Sequence, residues 1–183
     1  EGMTKHAYAI HLAAALGYLL HRQRDAVGLG IVTDRLSRFL PARTRPDHLT
    51  TLLGALDATV PTGATGLASG LHAALSLVPH RGLIVVLSDL LTDTEEVLSA
   101  LHHARFKGHD LVVMHVLDAV EVEFPFPGPV RLEDPETGES LVVDGGALRN
   151  RYLEMLGQWR EQLRVRIAGL RADYVPLSTA EPF

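Results

Sequence analysis

The chain has 183 residues, 46% of them hydrophobic, which supplies enough apolar material for one domain with a full core. Seventeen Lys and Arg side chains against 22 Asp and Glu give a formal net charge of −5, which argues against nucleic acid as a partner, because binding to a phosphate backbone depends on clustered basic residues. The absence of cysteine excludes disulfides, thiolate catalysis and cysteine-type zinc sites, and it favours a cytoplasmic location.

The sequence of the first third of the chain predicts a strand pair with one helix before it and one helix after it. Apolar residues spaced three and four apart predict a helix over residues 4–23, with Thr4 as its N-cap. Its apolar stretch is too short and too interrupted to span a bilayer, so we expect no insertion into a membrane. Two strand-like runs then flank a turn at residues 33–35, and a second helix is predicted over residues 46–57.

Helices and strands alternate in the middle of the chain. A Gly-rich loop leads into a third helix at residues 67–78, and the strand "LIVVLSD" follows at residues 83–89. A fourth helix is predicted over residues 94–107, because residues 92 and 93 have capping-box spacing with Glu95 and Glu96 and Gly108 ends the run. The next strand, "HDLVVMHVLD", also ends in an aspartate, Asp118.

These continuous apolar strands predict an α/β fold. Strands of this kind are typical of a mostly parallel, doubly wound sheet covered by helices on both faces, a three-layer α/β/α arrangement. Residues 122–146 interrupt the alternation and predict an inserted β-hairpin that turns at residues 135–138. A long helix at residues 148–172 and a closing strand at residues 173–178 complete a single domain over residues 1–183.

Asp89 is the main candidate site residue, because ligands of open parallel sheets bind beyond the carboxyl ends of the strands. Three interpretations compete for it: a catalytic aspartate, a metal ligand, or a residue of the turn into the next helix. Thr92 and Asp93 are better explained as helix caps. Thr65, at the head of the third helix, is an N-cap by default, but its hydroxyl would also face the carboxyl edge of the sheet.

Other familiar sites are disfavoured. The loop "TGATGLASG" follows a predicted helix and lacks a Walker lysine, so it does not fit a phosphate-binding loop. Ser69 stands in "GLASG" within a predicted helix, which argues against a hydrolase nucleophile elbow. The ten histidines show no metal-binding spacing on one helix face, and adjacent His102 and His103 point to different faces.

The chain resembles a known bacterial family along most of its length. The segments "HRQRDAVGLGIVTD", "GATGLASGLHAAL", "RGLIVVLSDLLTD" and "KGHDLVVMHVLD", with the hairpin "DPETG", are similar to the domain of unknown function 58 family. The C-terminal part of that family resembles a von Willebrand factor A domain.

The resemblance implies a metal-ion-dependent adhesion site built from D-x-S-x-S after a first strand, a threonine in a later loop and an aspartate ending a later strand. Thr65 matches the second piece and Asp89 the third. No D-x-S-x-S occurs in the chain, so we expect that the first strand is absent. With two oxygen ligands left, we expect binding of Mg²⁺ or Mn²⁺ to be weak or absent, because Mg²⁺ requires an octahedral set of oxygens.

The resulting hypothesis is a non-catalytic protein-interaction domain. Its complete form would use a divalent cation to bind an acidic group on a partner, and the family resemblance implies a MoxR-type AAA+ ATPase as that partner, in a chaperone or assembly role. The alternative is a small metal-assisted α/β hydrolase or phosphotransferase that uses Asp89, with Asp118 as a second titratable group. A third possibility is a truncated domain without a ligand. The sequence does not indicate an oligomeric state.

Overall fold

The structure is a computed structural model that describes residues 2–60, 66–133 and 140–181. Thr65 and the predicted hairpin turn at residues 135–138 lie outside these ranges. The elements in chain order are α1 (Lys5–Arg22), β1 (Val27–Val32), β2 (Leu36–Arg43), α2 (Pro46–Asp57), α3 (Leu67–Leu77), β3 (Leu83–Ser88), α4 (Thr94–Phe106), β4 (Asp110–Leu117), α5 (Ala119–Glu123), β5 (Pro129–Glu133), β6 (Ser140–Asp144), α6 (Gly145–Gly169) and β7 (Asp173–Ser178).

The central sheet is parallel, as predicted. Strands β3, β4 and β7 pair in the order β3-β4-β7, with Leu83 opposite Asp110 and Val112 opposite Asp173. Two antiparallel pairs accompany it, β1 with β2 and β5 with β6. The second pair is the predicted hairpin, and its strands lie within the predicted range 122–146.

Helices cover both faces of the parallel sheet, which confirms the three-layer α/β/α prediction. On one face, Val86 and Val113 belong to a buried cluster with residues of α3, α4 and α6. On the other face, Val116 packs against Tyr8 and Leu12 of α1. Successive residues of β4 therefore point in turn to the two helical layers, as the pleat of a strand requires.

Helix α3 lies very close to β1. A Cβ added to Gly70 would stand 2.4 Å from Cγ1 of Val32, so only glycine allows the helix and the strand to approach this far. The sequence already disfavours phosphate binding by this Gly-rich segment. At Gly70 the structure shows that glycine is needed for close packing of the helix on the strand.

The last helix was predicted with the wrong start and the wrong end, and one short helix was missed. The last helix begins at Gly145 and not near Leu148, because the side chain of Asp144 caps it by accepting a hydrogen bond from the amide N–H of Ala147. It ends at Gly169, three residues before the predicted end, and is followed by Arg171 with φ 56°. The short helix α5 was missed; Asp118 and Glu121 form a capping box at its start.

Among the residues described, no helix is both long enough and apolar enough to cross a membrane.

Candidate functional site

The carboxyl end of β3 forms a tight turn in which Ser88 and Asp89 both accept backbone hydrogen bonds. Oγ of Ser88 accepts from the amide N–H of Leu90 at 3.1 Å, and Oδ1 of Asp89 accepts from that of Leu91 at 3.3 Å. Leu90 has φ 55° and a side chain that is only 2% exposed, so the turn directs an apolar side chain into the core. The turn interpretation of Asp89 is therefore confirmed, and it leaves Oδ2 available for another partner.

That partner is Lys5, at the start of α1. Its ammonium nitrogen lies 2.9 Å from Oδ2 of Asp89 and 2.7 Å from Oε1 of Glu121, so one cation bridges two carboxylates from different elements. Burial lowers the pKa of Lys5, but the hydrogen bonds to Glu121 and Asp89 together with the negative charges of these two carboxylates outweigh burial, and the net shift is upward from its ordinary value. The side chains of Asp89 and Glu121 are each 32% exposed. The bridge is thus partly open to solvent and to a binding partner.

A buried histidine fixes the backbone of Asp89 from inside the sheet. His115 of β4 is 0% exposed, and its Nε2 lies 2.9 Å from the carbonyl oxygen of Asp89. A carbonyl oxygen only accepts, so Nε2 carries the proton and the neutral ring accepts through Nδ1 from the hydroxyl of Tyr174, 2.6 Å away. The chain Tyr174–His115–Asp89 connects the middle of the sheet to the candidate site. Trp159 packs edge-on against the imidazole.

This environment keeps His115 neutral. Burial, with a smaller contribution from Arg160, lowers the pKa of His115 from 6.5 to about 4, although the hydrogen bond to the Asp89 carbonyl opposes the shift. The lowered pKa favours the neutral ring, and the hydrogen bond to the Asp89 carbonyl places its proton on Nε2.

Of the other predicted residues, Asp93 and Asp118 are helix caps and Thr65 lies outside the described ranges, whereas Thr92, predicted as a cap, precedes the N-cap Asp93. Asp93 is the N-cap of α4, since its Oδ1 accepts from the amides of Glu95 and Glu96. Asp118 caps α5 by accepting from the amide of Val120 at 2.8 Å. Thr65, the second predicted metal ligand, falls among the residues that are not described.

The described side chains around Asp89 do not by themselves fit a divalent cation. No group of three or more His, Asp or Glu side chains comes together as a metal site in the three described ranges. The Lys5 ammonium occupies the place beside the Asp89 carboxylate where a cation would lie. An octahedral shell of oxygens would also require further ligands.

Lys5, Glu121 and His115 were missed by the sequence reasoning, although each left a signal. A lysine in the first turn of a helix is unfavourable next to the positive end of the helix dipole, which indicates a partner elsewhere. Glu121 stands three residues after Asp118, the spacing of a capping box. A histidine inside the apolar strand "LVVMHVL" predicts a buried, hydrogen-bonded polar group.

Curated relatives and solved structures resemble this chain over most of its length. The uncharacterized protein Rv1480 from Mycobacterium tuberculosis is 28% identical over 181 residues, which cover 96% of this chain and 56% of that protein. The chain thus spans about half the length of the curated relatives it matches.

Two solved structures share its fold. A conserved hypothetical protein BatB from Bacteroides thetaiotaomicron gives a TM-score of 0.51 at 15% identity, covering 92% of this chain and 80% of that one. An aerotolerance-related membrane protein from Bacteroides fragilis gives 0.50 at 14% identity, with the same coverage.

The family is established by sequence. The model of the family described as "Protein of unknown function DUF58" matches residues 1–162, which is most of the chain. The chain belongs to the DUF58 family.

Proposed function

We propose that this chain is the core of a non-catalytic, von Willebrand A-like protein-interaction domain that binds its partner at the carboxyl edge of the parallel sheet. The observation that supports the proposal most directly is the geometry of Asp89. Its main chain is fixed by a buried histidine and by the turn, while its Oδ2 points to a partly exposed cation. A charge held rigidly at a surface suits recognition, because little conformational freedom is lost on binding.

The open edges of the strands support the idea that the complete form contains one more strand. The six residues of β3 are almost entirely apolar, a composition typical of a strand covered on both faces, and in the described ranges β3 pairs with β4 alone, so its other edge is open. Strand β1 likewise pairs with β2 alone. A strand inserted between β1 and β3 would join the two sheets, and in a von Willebrand A-like domain it would carry the D-x-S-x-S motif.

In the complete form, we propose that ligands from that strand, with Thr65 and Asp89, hold Mg²⁺ or Mn²⁺ and leave one position for an acidic group of the partner. A MoxR-type AAA+ ATPase is the partner class that the family resemblance suggests, and a cytoplasmic location fits such a partner. The partner class depends on the resemblance alone, whereas the location also rests on the absence of cysteine.

The test uses the full natural chain, with and without Mg²⁺ or Mn²⁺, and measures the melting temperature together with capture of a purified MoxR-type ATPase. We expect the cation to raise the melting temperature and to be required for capture, because a ligand bound only by the folded state stabilises it. Asp89→Asn and Thr65→Ala should abolish both effects. Asp93→Asn is the matched control, because it removes a charge from the same loop but keeps a good N-cap.

Lys5→Met provides a variant with the opposite expected sign. If the metal and the Lys5 ammonium neutralise the same carboxylate, removal of the ammonium should strengthen cation binding. Indifference to metal in the full chain, in Asp89→Asn and in Lys5→Met alike would refute the metal-dependent mechanism. Turnover of phosphate or ester substrates that is lost in Asp89→Asn would instead favour the hydrolase alternative.

A further inference from the structure

A pair of histidines meets on the outer helical layer, outside the site at Asp89. His72 of α3 and His103 of α4 are 31 residues apart in sequence, yet their Nδ1 atoms lie 3.1 Å from each other. The ring centroids are 5.2 Å apart and the ring planes are inclined by 36°. His72 is exposed and His103 is partly buried, so the pair is open to solvent on one side.

The two backbones that carry this pair are held firmly. Lys107, one turn after His103, donates from its ammonium to the carbonyl oxygen of Leu75 at 2.9 Å, which connects the end of α4 to α3. Below the histidines, the helices share a buried apolar cluster made of Leu71, Leu75, Ala100, Leu101 and Ala104. The separation of the two backbones at His72 and His103 is therefore set by the packing of the helices.

We propose that His72 and His103 form a bidentate site for a late first-row transition metal ion: Cu²⁺, Ni²⁺ or Zn²⁺. If a metal ion lay about 2.05 Å from each Nδ1 atom, the Nδ1–metal–Nδ1 angle would be about 98° at the observed Nδ1–Nδ1 distance of 3.1 Å. This angle lies between the square-planar and tetrahedral values. The 3.1 Å contact is a hydrogen bond in which one of the two Nδ1 atoms carries the proton. Metal binding requires that ring to carry its proton on Nε2 instead, so that both neutral rings offer Nδ1 to the ion.

The ligand type separates this site from the one proposed at Asp89. Imidazole nitrogens suit copper, nickel and zinc, whereas carboxylate and hydroxyl oxygens suit Mg²⁺ and Mn²⁺. The structure brings no third His, Asp or Glu into a metal cluster within the described ranges, so water or an added ligand fills the remaining positions. Bound metal would clamp α3 to α4, the helix that follows the Asp89 turn. The inference stands independently of the proposed function.

The test is calorimetric titration of the untagged protein with Cu²⁺, Ni²⁺, Zn²⁺ and Mg²⁺, because a polyhistidine tag would itself bind the first three. We expect one ion per chain, the tightest binding for Cu²⁺, and no binding of Mg²⁺ at this pair. His72→Gln and His103→Gln should each weaken binding by at least about tenfold, since even an outer partner of a metal ligand is worth about that much. The double variant should bind no more tightly than either single variant, because a single variant keeps one imidazole ligand but no chelate.

His102→Gln is the matched control, since His102 is the exposed neighbour of His103 on the same helix. Circular dichroism of each variant is used to check that its helices are intact. Binding that survives in His72→Gln, or that falls equally in His102→Gln, overturns the proposal in favour of scattered binding by the ten histidines. Absence of Cu²⁺ binding in the unsubstituted protein overturns it outright.

Discussion

Replacing His115 should remove a large part of the acid sensitivity of this protein. The pKa of His115 falls from 6.5 in the unfolded chain to about 4 in the folded one, mainly because the ring is buried. Between these values the unfolded chain binds a proton that the folded protein excludes, so stability rises with pH through this window and is lost as the pH falls. The full shift corresponds to about 3 kcal/mol, of which about 2 kcal/mol is lost between about pH 7 and about pH 5.

The assay is urea unfolding at several pH values between about 7 and about 4.5, with the unsubstituted protein, His115→Gln and the exposed-site control His102→Gln. Gln keeps an Nε2–H that can donate to the carbonyl oxygen of Asp89, but it does not titrate. We expect His115→Gln to be the less stable protein near pH 7 and the gap to close by about 2 kcal/mol near pH 5. His102→Gln should follow the unsubstituted protein at every pH.

A constant gap between His115→Gln and the unsubstituted protein across this range would refute the reasoning. It would mean that His115 takes up a proton as readily in the folded protein as in the unfolded chain, so that burial does not lower its pKa. A gap that widens as the pH falls would contradict the direction of the pKa shift itself.

Three further predictions concern packing and hydrogen bonding. Tyr174→Phe leaves Nδ1 of His115 without a donor and should cost about 1–3 kcal/mol in urea unfolding; an unchanged midpoint would contradict this hydrogen bond. Gly70→Ala places a Cβ against Val32 and should cost about 1–3 kcal/mol; a gain in stability, as expected for Ala in an unhindered helix, would show that the contact relaxes freely. Asp93→Ala removes the N-cap of α4 and should cost about 1 kcal/mol, whereas Asp93→Asn should restore most of it; equal losses would argue against capping.

The sequence was sufficient for the elements whose signals are local. Helix α2 begins at Pro46 and ends at Asp57 as predicted, because proline at the first position and an apolar face define it without help from the rest of the chain. Strand β7 also matches, at residues 173–178. The start of α6 was placed too late because its first residues, Gly145 and Gly146, are poor helix formers; the cap at Asp144 decided the boundary.

The candidate site was harder to predict because its contacts are distant in sequence. Asp89 was identifiable from its position at a strand end, but Lys5 and Glu121 are 116 residues apart and meet only because α1 and α5 both reach the carboxyl edge of the sheet. The His72–His103 pair was not predicted for the same reason. Spacing rules test one helix at a time, whereas these two side chains come from two helices.

The contacts of Asp89 that stabilise the turn and the one that holds a cation are compatible, because they use different oxygen atoms of one residue. The carbonyl oxygen accepts from His115, Oδ1 accepts from the amide of Leu91, and Oδ2 pairs with Lys5. In Asp89→Asn the first two oxygens keep their roles, while the amide nitrogen that replaces Oδ2 cannot accept from Lys5, so the charge and this ion pair are lost. This substitution should therefore leave the turn intact and disturb only what depends on the carboxylate, whereas Asp89→Ala also removes the bond to Leu91. A loss of partner capture in both variants, with native stability in Asp89→Asn, would assign the charge of Asp89 to binding and its two other oxygens to the fold.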